Sequence, residues 1–232
     1  MRRFFRGLLV CSSAVVVLFL GALTVGYLYI ARDLPDVRPL REPEGLQSFM
    51  ELPPDFKPLR FADLPPHLVD AFMAVCGDSL QSQLARRLLP HGPHGLWADR
   101  RRGASVHVYA GVLSLHMDAL LSREEIFAAW LNGLYFGHHA YGPEAAARVY
   151  FAKPAHAVTL DEAALLAALS YAPTDFDPSR GAEALRRGRE KVLTAMRERG
   201  DITPEACRFA ALMPILPPVP PAEKEPSASD SE

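Results

Sequence analysis

Apolar and polar positions follow a helical rhythm along most of this chain, but the first stretch has no polar face at all. Gly7 to Ala31 contains no charged residue, and it comes after MRRFFR with its three arginines. A helix of about 20 apolar residues crosses the hydrocarbon core of a bilayer. The run is also longer than the apolar region of a cleaved signal peptide, about 7–15 residues. Flanking arginines favour the cytoplasmic side. The pattern therefore predicts a basic cytoplasmic stub over 1–6 and a single transmembrane anchor over 7–31, with everything after Arg32 beyond the membrane.

Residues 32–62 are rich in proline and charge and have little periodicity, which predicts an extended linker. Helical spacing begins near Asp63, with Pro65 and Pro66 tolerated in a first turn and Leu68, Val69, Phe72 and Val75 on one face. Leu80, Leu84 and Leu88 make a second stripe at i, i+4 and i+8. LPHGPHGLWADRRRG over 89–103 reads as a loop. From 105 to 121 the positions Val106, Tyr109, Leu113, His116 and Leu120 recur at helical spacing. Ser122-Arg123-Glu124-Glu125 is a capping box. It opens a helix carrying Ile126, Phe127, Trp130 and Leu131, which Asn132-Gly133 closes.

Further on, Pro143 starts the helix PEAAARVYF. Thr159-Leu160-Asp161-Glu162 is a second capping box, heading the apolar EAALLAALS. Pro173 and Pro178 punctuate the next loop, and a helix rich in Arg and Glu covers 181–199 up to Gly200. Thr203 and Pro204 begin one more short helix. No alternating strand pattern occurs, so 63–213 is expected to be an all-α domain. The proline-rich acidic tail, 214–232, is expected to be disordered.

Composition narrows the function classes. The 232 residues are 49% apolar and 22% charged, enough for one core beyond the N-terminus. A net charge of −2 gives no basis for nucleic-acid binding. Cys11, Cys76 and Cys207 show no paired spacing, so neither a zinc site nor a disulfide framework is indicated. Cys76 and Cys207 read as separate half-buried thiols, with a disulfide between them left open by the sequence. His91, His94, His138 and His139 lack a carboxylate or cysteine at ligand spacing, so no metal site is expected. Arg100, Arg101 and Arg102 fit either a phosphate or lipid-headgroup clamp or a solvated loop.

The segment WLNGLYFGHHAYGPEAAARVYFAKPAHAVTLDEAALLAALSYAPTDFDP, 130–178, carries a family likeness. It resembles the peptidoglycan glycosyltransferases of family 51, the transglycosylase domains of penicillin-binding proteins and their monofunctional relatives. Leu131, Asn132, Gly137, Gly142, Ala146, Ala147, Tyr150, Phe151 and Lys153 match that family's Tyr-Leu-Asn to Tyr-Phe-Gly-Lys run. Leu160, Glu162, Ala164, Leu166, Ala167, Ala172, Pro173 and Pro178 match its Leu-Thr-x-x-Glu to Asn-Pro run. Arg189, Val192, Leu193, Met196, Gly200, Ile202 and Thr203 match the end of the domain.

The resemblance implies a lysozyme-like helical fold that polymerises lipid II at the outer face of the bacterial cytoplasmic membrane. There a glutamate acts as general base on the acceptor hydroxyl. Basic side chains, often with a divalent cation, assist the departing pyrophosphate. The implied partners are lipid II or glycan strands, the membrane, and other cell-wall synthesis proteins. The chain contains no Ser-x-x-Lys, so a transpeptidase half is not expected.

The departures from the family pattern concern the chemistry itself. AFMAV runs directly into CGDSLQSQLARR. Gly77, Leu80, Gln83, Leu84, Ala85 and Arg86 fit the family's second motif, with Asp78 and Ser79 at its Ser-Thr. The first motif, Glu-Asp-x-x-Phe-x-x-His-x-Gly, is missing together with the segment between the two. At the motif carrying the second acid, His107 stands near the usual lysine, Ala110 at the usual glutamate and Asp118 at the final acidic position. A lost general base alone typically lowers a rate about 10²–10⁴-fold.

No intact catalytic residue is expected, with Asp78 as the one candidate substitute. Gln83, Arg86, Asn132, Tyr135 and Gly137 are the expected substrate-binding remnant. Three functions fit: an impaired family member that still binds lipid II or glycan, an active polymerase using Asp78, or a scaffold presenting PPVPP to a partner.

Overall fold

The computed structural model describes residues 2–32, 34–50, 52–77, 80–89, 103–171 and 182–215. Among these the chain is helical, with one isolated antiparallel bridge, Tyr135 to Tyr141, in place of any strand. The helices are α1 (Arg2–Ala31), α2 (Pro66–Cys76), α3 (Leu80–Leu88), α4 (Gly103–Leu120), α5 (Arg123–Asn132), α6 (Gly142–Phe151), α7 (Leu160–Tyr171), α8 (Ala182–Arg199) and α9 (Pro204–Leu212). The loop residues His91, His94 and Arg100–Arg102, together with Pro173, Pro178 and the tail from 216, lie outside the described residues.

Two compact units divide the chain. Met1–Val37 and Gln81–Leu120 form one, and Arg38–Leu80 with Leu121–Glu232 form the other. Helix α4 and α3 from Gln81 onward group with α1.

The larger unit is built around α7. Every residue from Ala163 to Leu169 is buried, which is why EAALLAALS has no polar face. Helix α7 contacts α2, α6, α8 and α9. From α2 come Leu68, Ala71 and Phe72, with the Phe72 ring edge-on to Trp130 at 6.1 Å and to Phe136 at 6.0 Å. Helix α8 adds Ala184, Leu185, Val192, Leu193 and Met196 at helical spacing. It ends where the sequence places Gly200, at φ +83. There the N–H of Gly200 donates to Arg197 O (3.0 Å) and that of Asp201 to Met196 O (2.9 Å), the glycine-terminated double bond of a Schellman ending.

The segment expected as an extended linker is folded from Arg38 onward. Leu40, Leu46, Phe49 and Phe56 are buried, and the 3-10 turns Arg38–Arg41, Pro43–Ser48 and Phe61–Asp63 contact α5. Pro39 and Pro43 restrict the backbone here, and short 3-10 turns bury an apolar residue without a 3.6-residue rhythm. Gly45 permits the closest turn, since a Cβ there would stand 1.7 Å from Pro39 O.

In the smaller unit, α1 contacts α4. On α3 the stripe Leu80, Leu84 and Leu88 is buried as expected, Leu80 counting to the larger unit and Leu84 and Leu88 to the smaller. Helix α4 buries Leu113 of the expected stripe together with Ala110 and Met117, while Tyr109 and His116 are half-buried. Because α4 is apolar on all sides, its sequence does not single out one face. The side chains of α1 are described from Val17 onward. Among the described residues no helix is long and apolar enough to cross a membrane.

Candidate functional site

Asn132 ends α5 and is 1% exposed. Its side-chain N–H donates to Leu59 O (2.8 Å), and its Oδ1 accepts the N–H of Leu59 (3.0 Å). One amide thus fastens the preceding segment to α5 as a strand partner would. This residue, expected to bind substrate, is committed to backbone.

The loop after α5 is closed by its own backbone. Phe136 N–H donates to Ala140 O (2.9 Å), Ala140 N–H to Gly137 O (2.8 Å), and Gly142 N–H to Leu134 O (2.9 Å). Gly137 and Gly142 take φ of +86 and +76. At Gly142 a Cβ would come within 3.2 Å of Asn132 O, so glycine also serves a close approach there. His138 and His139 adopt left-handed φ values of +50 and +58 despite their side chains. The Tyr150 hydroxyl donates to Phe136 O (2.5 Å). Tyr135 is 48% exposed, with its ring 4.9 Å from that of Tyr141. Of the expected binding residues on this loop, Tyr135 is therefore the one whose side chain reaches solvent, while Gly137 shapes the turn.

Two buried carboxylates brace the same region. Glu144 Oε2 accepts the Ala155 N–H (2.9 Å), and its Oε1 is paired with Arg148 at 2.7 Å from Nε and 2.6 Å from Nη2. Glu162 Oε2 accepts the Thr159 N–H (2.8 Å) and pairs with Lys153 Nζ (2.6 Å). The second capping box is half formed: the Thr159 N–H reaches Glu162, while the Thr159 hydroxyl donates to Asp161 (2.7 Å). Both glutamates are engaged in structural contacts. The sequence does not single out Glu144. Its only signal there is a carboxylate four residues before Arg148.

The junction after α2 is closed as well. Gly77 takes φ +57 and ψ −153, and its N–H donates to Met73 O. Arg199 Nη1 donates to the same carbonyl (3.0 Å) while its Nε pairs with Asp201 (2.9 Å). Burial pushes the Cys76 thiol up to about 11, against the downward pull of its own backbone hydrogen bond and of Arg199. Burial, then repulsion from Asp201, raises the Asp70 carboxyl, and Arg199 and His67 oppose this. Cys76 and Cys207 are both buried and free, so the disulfide left open by the sequence does not form.

Gln83 is half-buried and engaged, and Arg86 is exposed, both on α3 in the smaller unit. Asp118 is exposed on α4, and Ala110, at the family's glutamate position, is buried. Asp78 lies outside the described residues. Among the described residues no group of three or more His, Cys, Asp and Glu is arranged to hold a metal ion.

A family model described as transglycosylase matches residues 74–197. Penicillin-binding protein 1A of Vibrio cholerae is 28% identical over 249 residues, covering 93% of this chain and 30% of its own. The protein of the same name from Aquifex aeolicus is 36% identical over 139 residues, 60% of this chain and 18% of its own. A crystal structure of penicillin-binding protein 1A from Haemophilus influenzae is 26% identical, with TM-score 0.44, over 69% of this chain and 18% of that one. This chain therefore spans less than a third of the length of these relatives. The Vibrio match, at 249 residues, is longer than this entire chain of 232, so that relative carries residues inside the matched stretch which this chain lacks.

Proposed function

We propose a function from one premise: the chain belongs to the transglycosylase family. It is a membrane-anchored, peptidoglycan glycosyltransferase-like domain with a lysozyme-like fold. It retains recognition of lipid II or glycan strands and has lost most of its capacity to polymerise them. The observation that carries this reading is in the sequence, where AFMAV runs directly into CGDSLQSQLARR at the point where the family's base-bearing motif would begin. That passage has a Gly77 turn and an Arg199 bond to Met73 O of its own. The unmatched residues in the long Vibrio alignment support an internal loss. The two buried glutamates of the larger unit are engaged by Arg148 and Lys153.

The anchor is the apolar run of 7–31, placing the domain on the outer side of the bacterial cytoplasmic membrane. In support, the α1 backbone is helical for 30 residues. Its side chains Val17, Leu18, Phe19, Leu20, Leu23, Val25 and Leu28 are exposed, as are Val108 and Leu115 of α4 in the same unit. An exposed apolar helix face of that kind suits lipid better than water. Glycan strands and other cell-wall synthesis proteins are the partners this reading supplies. The residues this reading assigns to substrate are Tyr135, Asn132 and Gly137 in the larger unit and, taken separately, Gln83 and Arg86 in the smaller one.

A binding and turnover assay on full-length protein with labelled lipid II tests the reading. Saturable binding without glycan chains is the expected result. Absence of binding would leave a scaffold, and chain formation would contradict the impairment.

A further inference from the structure

We propose that the cleft between the 53–57 segment and the His138-His139 loop binds an oxyanion, a carboxylate or phosphate group carried by a small ligand. The cleft encloses about 350 Å³, within the range of small-molecule sites. It is lined by Lys57, Arg148, His138 and His139, with Asp55 and Glu144 as the carboxylates.

Arg148 is the anchor of the site. Two of its nitrogens lie 2.7 and 2.6 Å from one oxygen of Glu144, which is itself 7% exposed and fixed by the Ala155 N–H at 2.9 Å. The Arg148 side chain nevertheless remains 56% exposed. A guanidinium has five donors, so one oriented in this way still has donors to offer a planar or tetrahedral anion. Glu144 orients the guanidinium and offsets its charge, so Arg148 contributes directed donors to the cleft rather than net charge. Lys57 adds an exposed ammonium to the same cleft, and Asp55 is the opposing charge there.

The imidazoles are held at some cost. L-residues rarely take a left-handed conformation, and here two consecutive histidines adopt it. The Phe136–Ala140 and Ala140–Gly137 hydrogen bonds keep the loop in that form, and the His138 ring stands edge-on to Tyr150 at 6.0 Å. Strain of this kind persists where the surrounding structure over-determines it, commonly at binding sites. The assignment holds whether or not the domain polymerises glycan.

Isothermal titration of full-length protein in detergent tests it, with inorganic phosphate in one arm and N-acetylalanine in the other. Saturable binding of at least one probe is expected, and the arm that saturates identifies the ligand as phosphoryl or carboxylate. Arg148→Gln is expected to weaken that binding about tenfold or more, the effect of one lost charge-assisted hydrogen bond. Lys57→Gln and His139→Gln, both at exposed positions, should weaken it without loss of fold. No saturation with either probe overturns the proposal. So does binding that is unchanged in Lys57→Gln and His139→Gln.

Discussion

Asn132 does with one amide what a neighbouring strand does with two backbone groups, and it does so at 1% exposure. Asn132→Ala leaves the N–H and C=O of Leu59 without these partners. Each unsatisfied buried group costs about 1–3 kcal/mol, so chemical denaturation should place the variant well below the parent. An unchanged midpoint would mean that the contact with Leu59 contributes little. The sequence marks Asn132 as important through its match to the family pattern, but the reason cannot be read there, because Leu59 lies 73 residues away.

Cys76 supplies a test in pH. Its folded thiol titrates near 11, above the ordinary value near 9. The folded state therefore keeps a proton that the unfolded chain releases in that interval. The associated stability is complete below about pH 9 and is lost as pH rises through about 11. Denaturation midpoints of the parent should fall more steeply between pH 9 and 11 than those of Cys76→Ser. Equal slopes would contradict the burial of the thiol.

Among elements, those written in local chemistry are legible. The capping box at Ser122 forms in full, with Glu125 N–H donating to the Ser122 hydroxyl (3.1 Å) and Ser122 N–H to Glu125 (2.7 Å). Thr203 caps α9, Pro143 starts α6 and Gly200 stops α8. The box at Thr159 is different: the Thr159 N–H bonds Glu162 and the hydroxyl donates to Asp161, with no bond from the Glu162 N–H to that hydroxyl among the described residues. Ser122→Ala should cost about 1 kcal/mol, as for a typical lost N-cap, and Thr159→Ala should cost distinctly less in the same unfolding assay. Equal losses would mean that Thr159 caps its helix after all.

Two elements are not legible, for opposite reasons. The segment from Arg38 to Asp63 hides its buried residues in 3-10 turns that have no helical period. Helix α4 has apolar residues on every side, so the periodicity that usually selects a buried face selects none. The strained loop at His138 and His139 has no sequence signal beyond its glycines. Left-handed histidines become visible only through backbone geometry.

Across the whole molecule, the family is carried by the half of the chain that folds around α7, and the departure from it lies between α2 and α3. A stable frame and a missing base are compatible because different residues provide them. Packing of α2, α7 and α8 needs Leu68, Phe72 and Met196, all of which are buried in place. Glycosyl transfer needs a carboxylate within hydrogen-bond reach of the acceptor hydroxyl. The proposed function separates recognition from turnover on this ground. Incubation of full-length protein with labelled lipid II in detergent, alongside Asp78→Asn, tests that separation most directly. The expected result is no glycan chains from either protein. Chains formed by the parent and absent from Asp78→Asn would contradict the loss of turnover and establish Asp78 as the working base.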